Sequence, residues 1–268
     1  MKNTFGFIGT GNMGGALAEA AAKAMPAESI LLSNRTPAKA EALANRLGCQ
    51  MATKEQIAAQ CGFLFLGVKP QQMGDLLSEL SPTLAQRKDE FVLVTMAAGL
   101  TMERIQAMAG GNYPVIRIMP NTPCAVGEGM VLFDKTENVS RETLDLFLEN
   151  MRFAGVLDPL PEALIDAGSS VAGCGPAFAA IFLEALADGG VACGLPRQKA
   201  LLYASQMLLG TARLALETGK HPGQIKDAVC SPGGSTIAGV RALEDSAFRS
   251  AVMDAVKRSH ARNQELGK

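Results

Sequence analysis

Histidine is scarce in this sequence: His221 and His260 are the only two, and neither stands where acid–base chemistry would place one. His221 precedes Pro222 and reads as a helix-entry residue, and His260 falls in a polar C-terminal helical stretch. Interconversion of ketone and alcohol by hydride transfer wants a positioned proton donor, usually His or Lys. An excess of one charge is missing too. Lys and Arg number 25 against 26 Asp and Glu, for a net charge of −1, and the basic residues are scattered. No nucleic-acid partner and no anionic membrane surface is expected. Cys49, Cys61, Cys124, Cys174, Cys193 and Cys230 form no C-x-x-C pair and no metal spacing. They read as reduced, mostly buried thiols of a cytoplasmic protein without a metal site. The apolar stretch near the N-terminus is interrupted by glycines, ended by Glu19 and followed by no cleavage pattern, so neither a signal peptide nor a membrane span is expected. Apolar residues are plentiful: 48% of 268 residues is ample for one large domain or two moderate ones, and small-molecule chemistry remains.

The first strong pattern is Thr4-Phe5-Gly6-Phe7-Ile8-Gly9-Thr10-Gly11-Asn12-Met13-Gly14-Gly15, a buried-strand pattern that breaks into glycines. Gly9, Gly11 and Gly14 fall at the G-x-G-x-x-G spacing between this strand and an Ala-rich helix over 16–24. In such a unit the first glycine makes the tight turn, the second lets the backbone approach a pyrophosphate, and the third packs the helix on the strand. A second strand over 29–33 ends in Ser33-Asn34-Arg35-Thr36-Pro37, where Thr36 can cap a helix with Pro37 at its first position. A site that prefers NAD places an acid here to bind the ribose 2′-hydroxyl, whereas an arginine accommodates a 2′-phosphate. Asn34 and Arg35 stand here instead of an acid, so NADPH is expected as cofactor, with NADH as the weaker alternative. Arg35 as an ordinary solvated turn residue is the other reading.

A helix over 37–47, a short strand over 49–52 and a helix over 54–60 complete a second β-α-β pass, and the strand Phe63 to Val68 runs into Lys69-Pro70. Ligands of open parallel sheets bind outside the carboxyl ends of the strands, which makes Lys69 a candidate for the nicotinamide ribose or the substrate, or else a solvated lysine. A strand over 91–95 ends in Ala97-Ala98-Gly99, small enough for a flat nicotinamide to lie against the backbone or simply for tight packing. The strand Val115 to Met119 ends in Pro120-Asn121-Thr122-Pro123, a loop made rigid by two prolines in which Asn121 suits substrate orientation or a structural turn. A short strand over 130–133, a capped helix over 140–151 and a strand over 155–157 close the α/β part.

From about Leu160 the pattern is helical, with helices over 175–193, 196–218, 222–229, 236–244 and 248–266. This makes a second domain of about 110 residues. Its helices are apolar around most of their circumference in 178–187 and 200–209, which implies burial on nearly all sides and hence a homodimer or larger assembly. The fold class expected is α/β: a doubly wound parallel sheet of Rossmann type over 1–158, then an all-helical domain over 159–268 used for dimerisation. The chemistry is expected where the two meet. Within Cys230-Ser231-Pro232-Gly233-Gly234-Ser235-Thr236, two glycines and two hydroxyls precede a helix. Backbone amides of Gly233, Gly234 and Ser235 can bind a carboxylate at that helix N-terminus. Thr236 is either a hydroxyl donor to the reacting group or an N-cap. Hydroxyacid dehydrogenases of the 6-phosphogluconate type carry a lysine after a glycine pair at the start of the long helix, and Gly173 to Ala180 contains none. A protonated imine needs no such donor.

The chain resembles the pyrroline-5-carboxylate reductase family over essentially its whole length. The resemblance is carried by Phe7 to Met13, Val68-Lys69-Pro70, Ala97-Ala98-Gly99, Met119 to Pro123, Glu184 to Asp188 and above all Ser231 to Gly239. It implies a cofactor site lined by Ile8, Gly9, Thr10, Gly11, Asn12 and Met13, by Gly67, Val68, Lys69 and Pro70, and by Ala97, Ala98 and Gly99, to which the glycine spacing adds Gly14 and the end of the second strand adds Ser33, Asn34 and Arg35. It implies that the turn of Ser231, Gly233, Gly234 and Ser235 holds the substrate carboxylate and that Thr236 bonds the ring nitrogen as the catalytic residue, while Asn121 and Lys69 join the substrate site from their places at the strand ends. The implied reaction is hydride transfer from NADPH to the protonated imine of Δ1-pyrroline-5-carboxylate, giving L-proline, the last step of proline biosynthesis. The helical domains of such proteins interlock in a homodimer, and some members assemble dimers into decamers. One departure is Ala172-Gly173-Cys174, where many members have serine at the first or third position. A non-catalytic NADP(H) sensor would share the first half without needing the Gly-Gly turn, and a related imine or hydroxyacid reductase would keep or shift that turn.

Overall fold

A computed structural model describes residues 1–266 of the chain. They form two compact units: Met1–Cys174 together with the chain from Ser259 onward, and Gly175–Arg258.

In the first unit the order is β1 (Phe5–Ile8), α1 (Asn12–Ala22), β2 (Ile30–Ser33), α2 (Pro37–Leu47), β3 (Gln50–Met51), α3 (Lys54–Gln60), β4 (Phe63–Leu66), α4 (Pro70–Ala85), β5 (Val92–Thr95), α5 (Met102–Ala109), β6 (Val115–Met119), β7 (Gly129–Lys135), α6 (Arg141–Met151), β8 (Gly155–Pro159) and α7 (Glu162–Ala172). One eight-stranded sheet results, in the order β3-β2-β1-β4-β5-β6-β7-β8. β1, β4, β5 and β6 are buried at every residue, as parallel strands covered on both faces must be. On one face Phe5, Phe7, Phe63, Phe65 and Phe147 gather their rings, Phe7 stacking on Phe65 at 4.2 Å between centroids. On the other, Ile8, Leu64, Leu66 and Leu93 meet Ile57, Leu77 and Ile105 from α3, α4 and α5.

The expected doubly wound sheet is there, with β3, β2, β1, β4, β5 and β6 parallel, and one pairing departs from it: β7 runs antiparallel to β6, with Ile118 opposite Phe133. A parallel return needs a crossover of a dozen or more residues, and between Met119 and Gly129 the chain makes only a short 3₁₀ turn, Thr122–Val126. Thr36 does occupy the N-cap of α2 with Pro37 following, but its hydroxyl makes no capping bond. Thr53 caps α3 instead, in a reciprocal pair with Gln56.

α7 belongs by packing to the sheet, although the sequence turns helical near Leu160. Arg117, in the middle of β6, is 2% exposed and reaches Glu162 at 3.3 Å and Asp166 at 2.8 Å, one turn apart on α7. A buried guanidinium left without its carboxylates would cost several kcal/mol, roughly 3–5. Asn263, near the end of the last helix, donates to the Asp166 carbonyl and to Ser170 Oγ. A second arginine acts as a staple: Arg87 donates to the Ala58 and Cys61 carbonyls at 2.8 Å, lies over Phe91, and with Lys2 holds the Asp89 carboxyl well below its usual range. Burial also pushes the Cys61 thiol up to about 12, against the opposing charges of Arg87 and Lys2. Of the six free thiols only Cys61 and Cys124 are buried and Cys193 is exposed, so the expectation of mostly buried cysteines does not hold.

The second unit comprises α8 (Gly175–Ala192), α9 (Arg197–Thr218), α10 (Pro222–Ala228), α11 (Ser235–Asp245) and the start of α12 (Phe248–Leu266). α8 and α9 approach closely through small residues, a Cβ on Gly190 standing only 3.3 Å from that of Ala200. Ala187, Ala200 and Ala204 are the buried apolar residues of this unit among the described residues, while Ile181 is 67%, Leu202 56% and Leu216 84% exposed. Three alanines are no hydrophobic core. The helical run Glu162–Ala192 is long and apolar enough to cross a membrane by length and composition, with 11% of its most apolar window buried.

Candidate active site

β1 lies between β2 and β4, so the strand order reverses beside it and a crevice opens outside the carboxyl ends of these strands. The sheet pairing continues one step past the strands: the Gly9 amide donates to the Ser33 carbonyl and the Gly67 amide to that of Ile8, both at 2.8 Å. The three glycines of the turn then separate into two kinds. Gly9 has φ +102°, and a Cβ on it would stand 2.4 Å from the Gly67 carbonyl oxygen; a Cβ on Gly14 would stand 2.1 Å from that of Gly9. The fold itself demands these two. A Cβ on Gly11 would meet nothing within 4 Å, so the chain leaves that space open, where a pyrophosphate approaches in such turns. Thr10, 7% exposed, donates its amide to Asn34 Oδ1 at 3.2 Å, and its hydroxyl is buried without a partner among the described residues. The open Gly11 position and the unsatisfied Thr10 hydroxyl fit a bound dinucleotide.

Asn34 spends its side chain on the turn, bonding Thr10 with Oδ1 and the Thr36 carbonyl with Nδ2. Arg35 beside it is exposed and makes no ion pair among the described residues. Val68 is half-buried and Lys69 is the exposed N-cap residue of α4, with Pro70 first in the helix. Ala97 is buried, Ala98 half-buried, and Gly99 takes φ +75°. Since β4 and β5 are neighbours, these two short loops share the edge that carries Gly9 to Gly14. Asn121 is used differently from the substrate-orienting reading: it is 8% exposed, donates Nδ2 to the Ala172 carbonyl and accepts the Met130 amide on Oδ1, both at 3.0 Å. It ties the 3₁₀ turn to β7 and to the end of α7.

The second set of residues lies in the other unit. Ser231 to Gly234 close a turn through the Gly234 amide and the Ser231 carbonyl at 3.0 Å, with Gly233 at φ +67°. Gly234 is the N-cap residue of α11, and no side chain caps this helix. Thr236 is therefore the second helical residue and no cap, and its hydroxyl makes no hydrogen bond to the described residues. The first-turn amides of an eleven-residue helix, with Ser235 and Thr236 exposed beside them, stand open to an anion. His221 caps α10, its Nδ1 accepting from the Gly223 amide, as a helix-entry residue does.

Over the whole chain the sequence is 38% identical to pyrroline-5-carboxylate reductase of Escherichia coli K12, with 100% of both chains covered. The chain belongs to the pyrroline-5-carboxylate reductase family. The Synechocystis reductase is 40% identical over 275 aligned residues, again with full coverage of both. Residues 162–266 match the pyrroline-5-carboxylate reductase dimerisation family, and residues 4–99 match the family described as NADP oxidoreductase, coenzyme F420-dependent. A solved Plasmodium falciparum pyrroline carboxylate reductase, with NADP bound in that structure, superposes at a TM-score of 0.86 with 28% identity, covering 99% of this chain and 98% of that one. The helical half is thus a dimerisation domain, and its bare apolar helices are the face such a domain carries. Sequence reading of this family member missed the Arg117–Glu162–Asp166 cluster. Its signal was present: one arginine inside the apolar strand Val-Ile-Arg-Ile-Met, and two acids four residues apart opening a helix.

Proposed function

We propose that the chain reduces Δ1-pyrroline-5-carboxylate to L-proline, with NADPH preferred over NADH. The observation that carries this is the bare N-terminus of α11, where open backbone amides stand beside an uncommitted Thr236 hydroxyl. The open amides of Ser235 and Thr236 at the start of α11, with that of Gly233 in the turn that the Gly234 amide closes onto the Ser231 carbonyl, hold the substrate carboxylate; the helix dipole adds about 0.3–1 kcal/mol, up to roughly 2 when partly buried. Thr236 accepts a hydrogen bond from the ring N–H of the iminium. As the carbon takes hydride and the C=N π pair moves onto nitrogen, the same hydroxyl rotates to donate to the new lone pair. Gly9 to Gly14 cradle the pyrophosphate of the dinucleotide, Arg35 meets its 2′-phosphate, and Ala97 to Gly99 flank the nicotinamide. Bound there, the cofactor supplies the hydride. Lys69 lies at the same edge and is proposed to contact the nicotinamide ribose. With no acid or base in charge of a proton, the rate comes from orienting two reactants.

A cytoplasmic homodimer follows from the same reading. The apolar faces of α8 and α9 are covered by a second copy, which accounts for the exposed Ile181 and Leu202 without a membrane. Light scattering separates that dimer from the decamer that the family resemblance also allows. Oxidation of NADPH with pyrroline-5-carboxylate, pyrroline-2-carboxylate and a panel of hydroxyacids, run side by side, tests the activity. Turnover with the first is expected. Turnover with none refutes the proposal and leaves a dinucleotide-binding protein without catalysis.

A further inference from the structure

Glu162 opens α7, and one of its oxygens serves two donors. Oε1 accepts the Met102 backbone amide at 2.7 Å and Arg117 Nη1 at 3.3 Å. Met102 is the first residue of α5, so its amide is one of the donors that a helix start leaves without an intrahelical partner. The cap residue Thr101 serves another amide, that of Arg104. Gly99 closely precedes this point, so a carboxylate from α7 fixes the far end of the Ala97-Ala98-Gly99 loop. At the near end, Thr95 Oγ1 accepts the Ala97 amide at 3.4 Å. The carboxylate is itself held. Arg117 is buried with its other terminal nitrogen on Asp166, and the Glu162 backbone amide donates to Asp134 Oδ2 at 2.6 Å.

We propose that Glu162, oriented by Arg117, is a positioning residue for the nicotinamide end of the cofactor site, setting the Ala97–Gly99 loop through the Met102 amide. The inference rests on the cofactor reading above and adds a residue from the helical half of the sequence to it. The adenosine half is held by other elements, the turn after β1 and the end of β2, and does not depend on Glu162.

Two variants separate reach from charge. Glu162→Asp keeps the charge beside Arg117 and shortens the reach to the Met102 amide; Glu162→Gln keeps the reach and removes the charge. Each is titrated with NADPH and with adenosine 2′,5′-bisphosphate, which has no nicotinamide. Losing one charge-assisted hydrogen bond that orders the loop should weaken NADPH about tenfold in Glu162→Asp, with the bisphosphate within about twofold of wild type. In Glu162→Gln the neutral amide oxygen still reaches the Met102 amide, so NADPH should weaken less than in Glu162→Asp, about threefold, with the bisphosphate again within about twofold of wild type. The reverse ranking, with Glu162→Gln the weaker NADPH binder, would make Glu162 only half of an ion pair and overturn the inference alone. So would equal weakening of both ligands in Glu162→Asp. Wild-type protein that binds neither ligand overturns the cofactor reading, and this inference with it.

Discussion

Replacing Gly11 and Gly14 separately by alanine should split binding from folding. Gly11 sits at φ −69° and ψ −167°, extended backbone that any residue adopts, and its Cβ would meet nothing within 4 Å. Alanine is a poorer N-cap than glycine by about half a kcal/mol, but it stiffens the unfolded chain by about 0.4–1 kcal/mol. Gly11→Ala should therefore melt within a degree or two of wild type. The methyl group enters the space left for the pyrophosphate, where overpacking costs about 1–3 kcal/mol, equivalent to NADPH binding roughly 5- to 150-fold weaker. In Gly14→Ala the methyl would stand 2.1 Å from the Gly9 carbonyl oxygen, so backbone must move. Taking about 3 kcal/mol for that clash and returning about 1 kcal/mol for helix propensity leaves about 2. At roughly 2–4 °C per kcal/mol, the melting temperature should fall by about 4–8 °C. Fluorescence titration with NADPH and thermal melts of both variants make the measurement. A Gly11→Ala protein that binds NADPH like wild type, or that melts as low as Gly14→Ala, would refute the assignment of the open space to the cofactor.

Two further substitutions probe the two ends of the reaction. Thr236→Ala removes the one hydroxyl placed on the ring nitrogen and should lower kcat about 10- to 100-fold with NADPH affinity nearly unchanged; steady-state kinetics with unchanged kcat would take Thr236 out of the mechanism. Arg35→Ala should weaken NADPH about tenfold or more and NADH less than about twofold, and equal losses for both nucleotides would end the 2′-phosphate assignment.

The nucleotide-binding half was legible because its signals are local. β1, the Gly9–Gly14 turn and α1 follow one another in sequence, and α2 and α3 keep the bounds 37–47 and 54–60 that the pattern gives, with Pro37 first in α2 although Thr36 makes no capping bond. The direction of β7 was hidden, since nothing in a run of apolar residues records which way a strand points; only the shortness of the Thr122–Val126 turn does. Asn121 shows another limit. Its residue type suits a substrate contact, but both ends of its amide are taken by Ala172 and Met130, partners brought near by tertiary packing. Thr236 shows the opposite: from sequence it could equally have been a cap, and the placement of Gly234 at that position leaves its hydroxyl uncommitted. The Arg117 cluster joins residues forty-five and forty-nine positions apart, beyond any window in which spacing speaks.

The three buried alanines of the second unit bear on how this protein comes into being. Residues 175–258 gain little apolar burial within one chain, so in the proposed homodimer much of their stability comes from the second copy, and assembly is a step that is second order in protein concentration. A newly made chain can complete its sheet alone but waits with Ile181, Leu202 and Leu216 in water. During that wait it is exposed to aggregation and to chaperones, and its half-life as a monomer lengthens as the protein is diluted. In the proposed homodimer the helices that join two subunits thus also make the protein's stability depend on its own concentration.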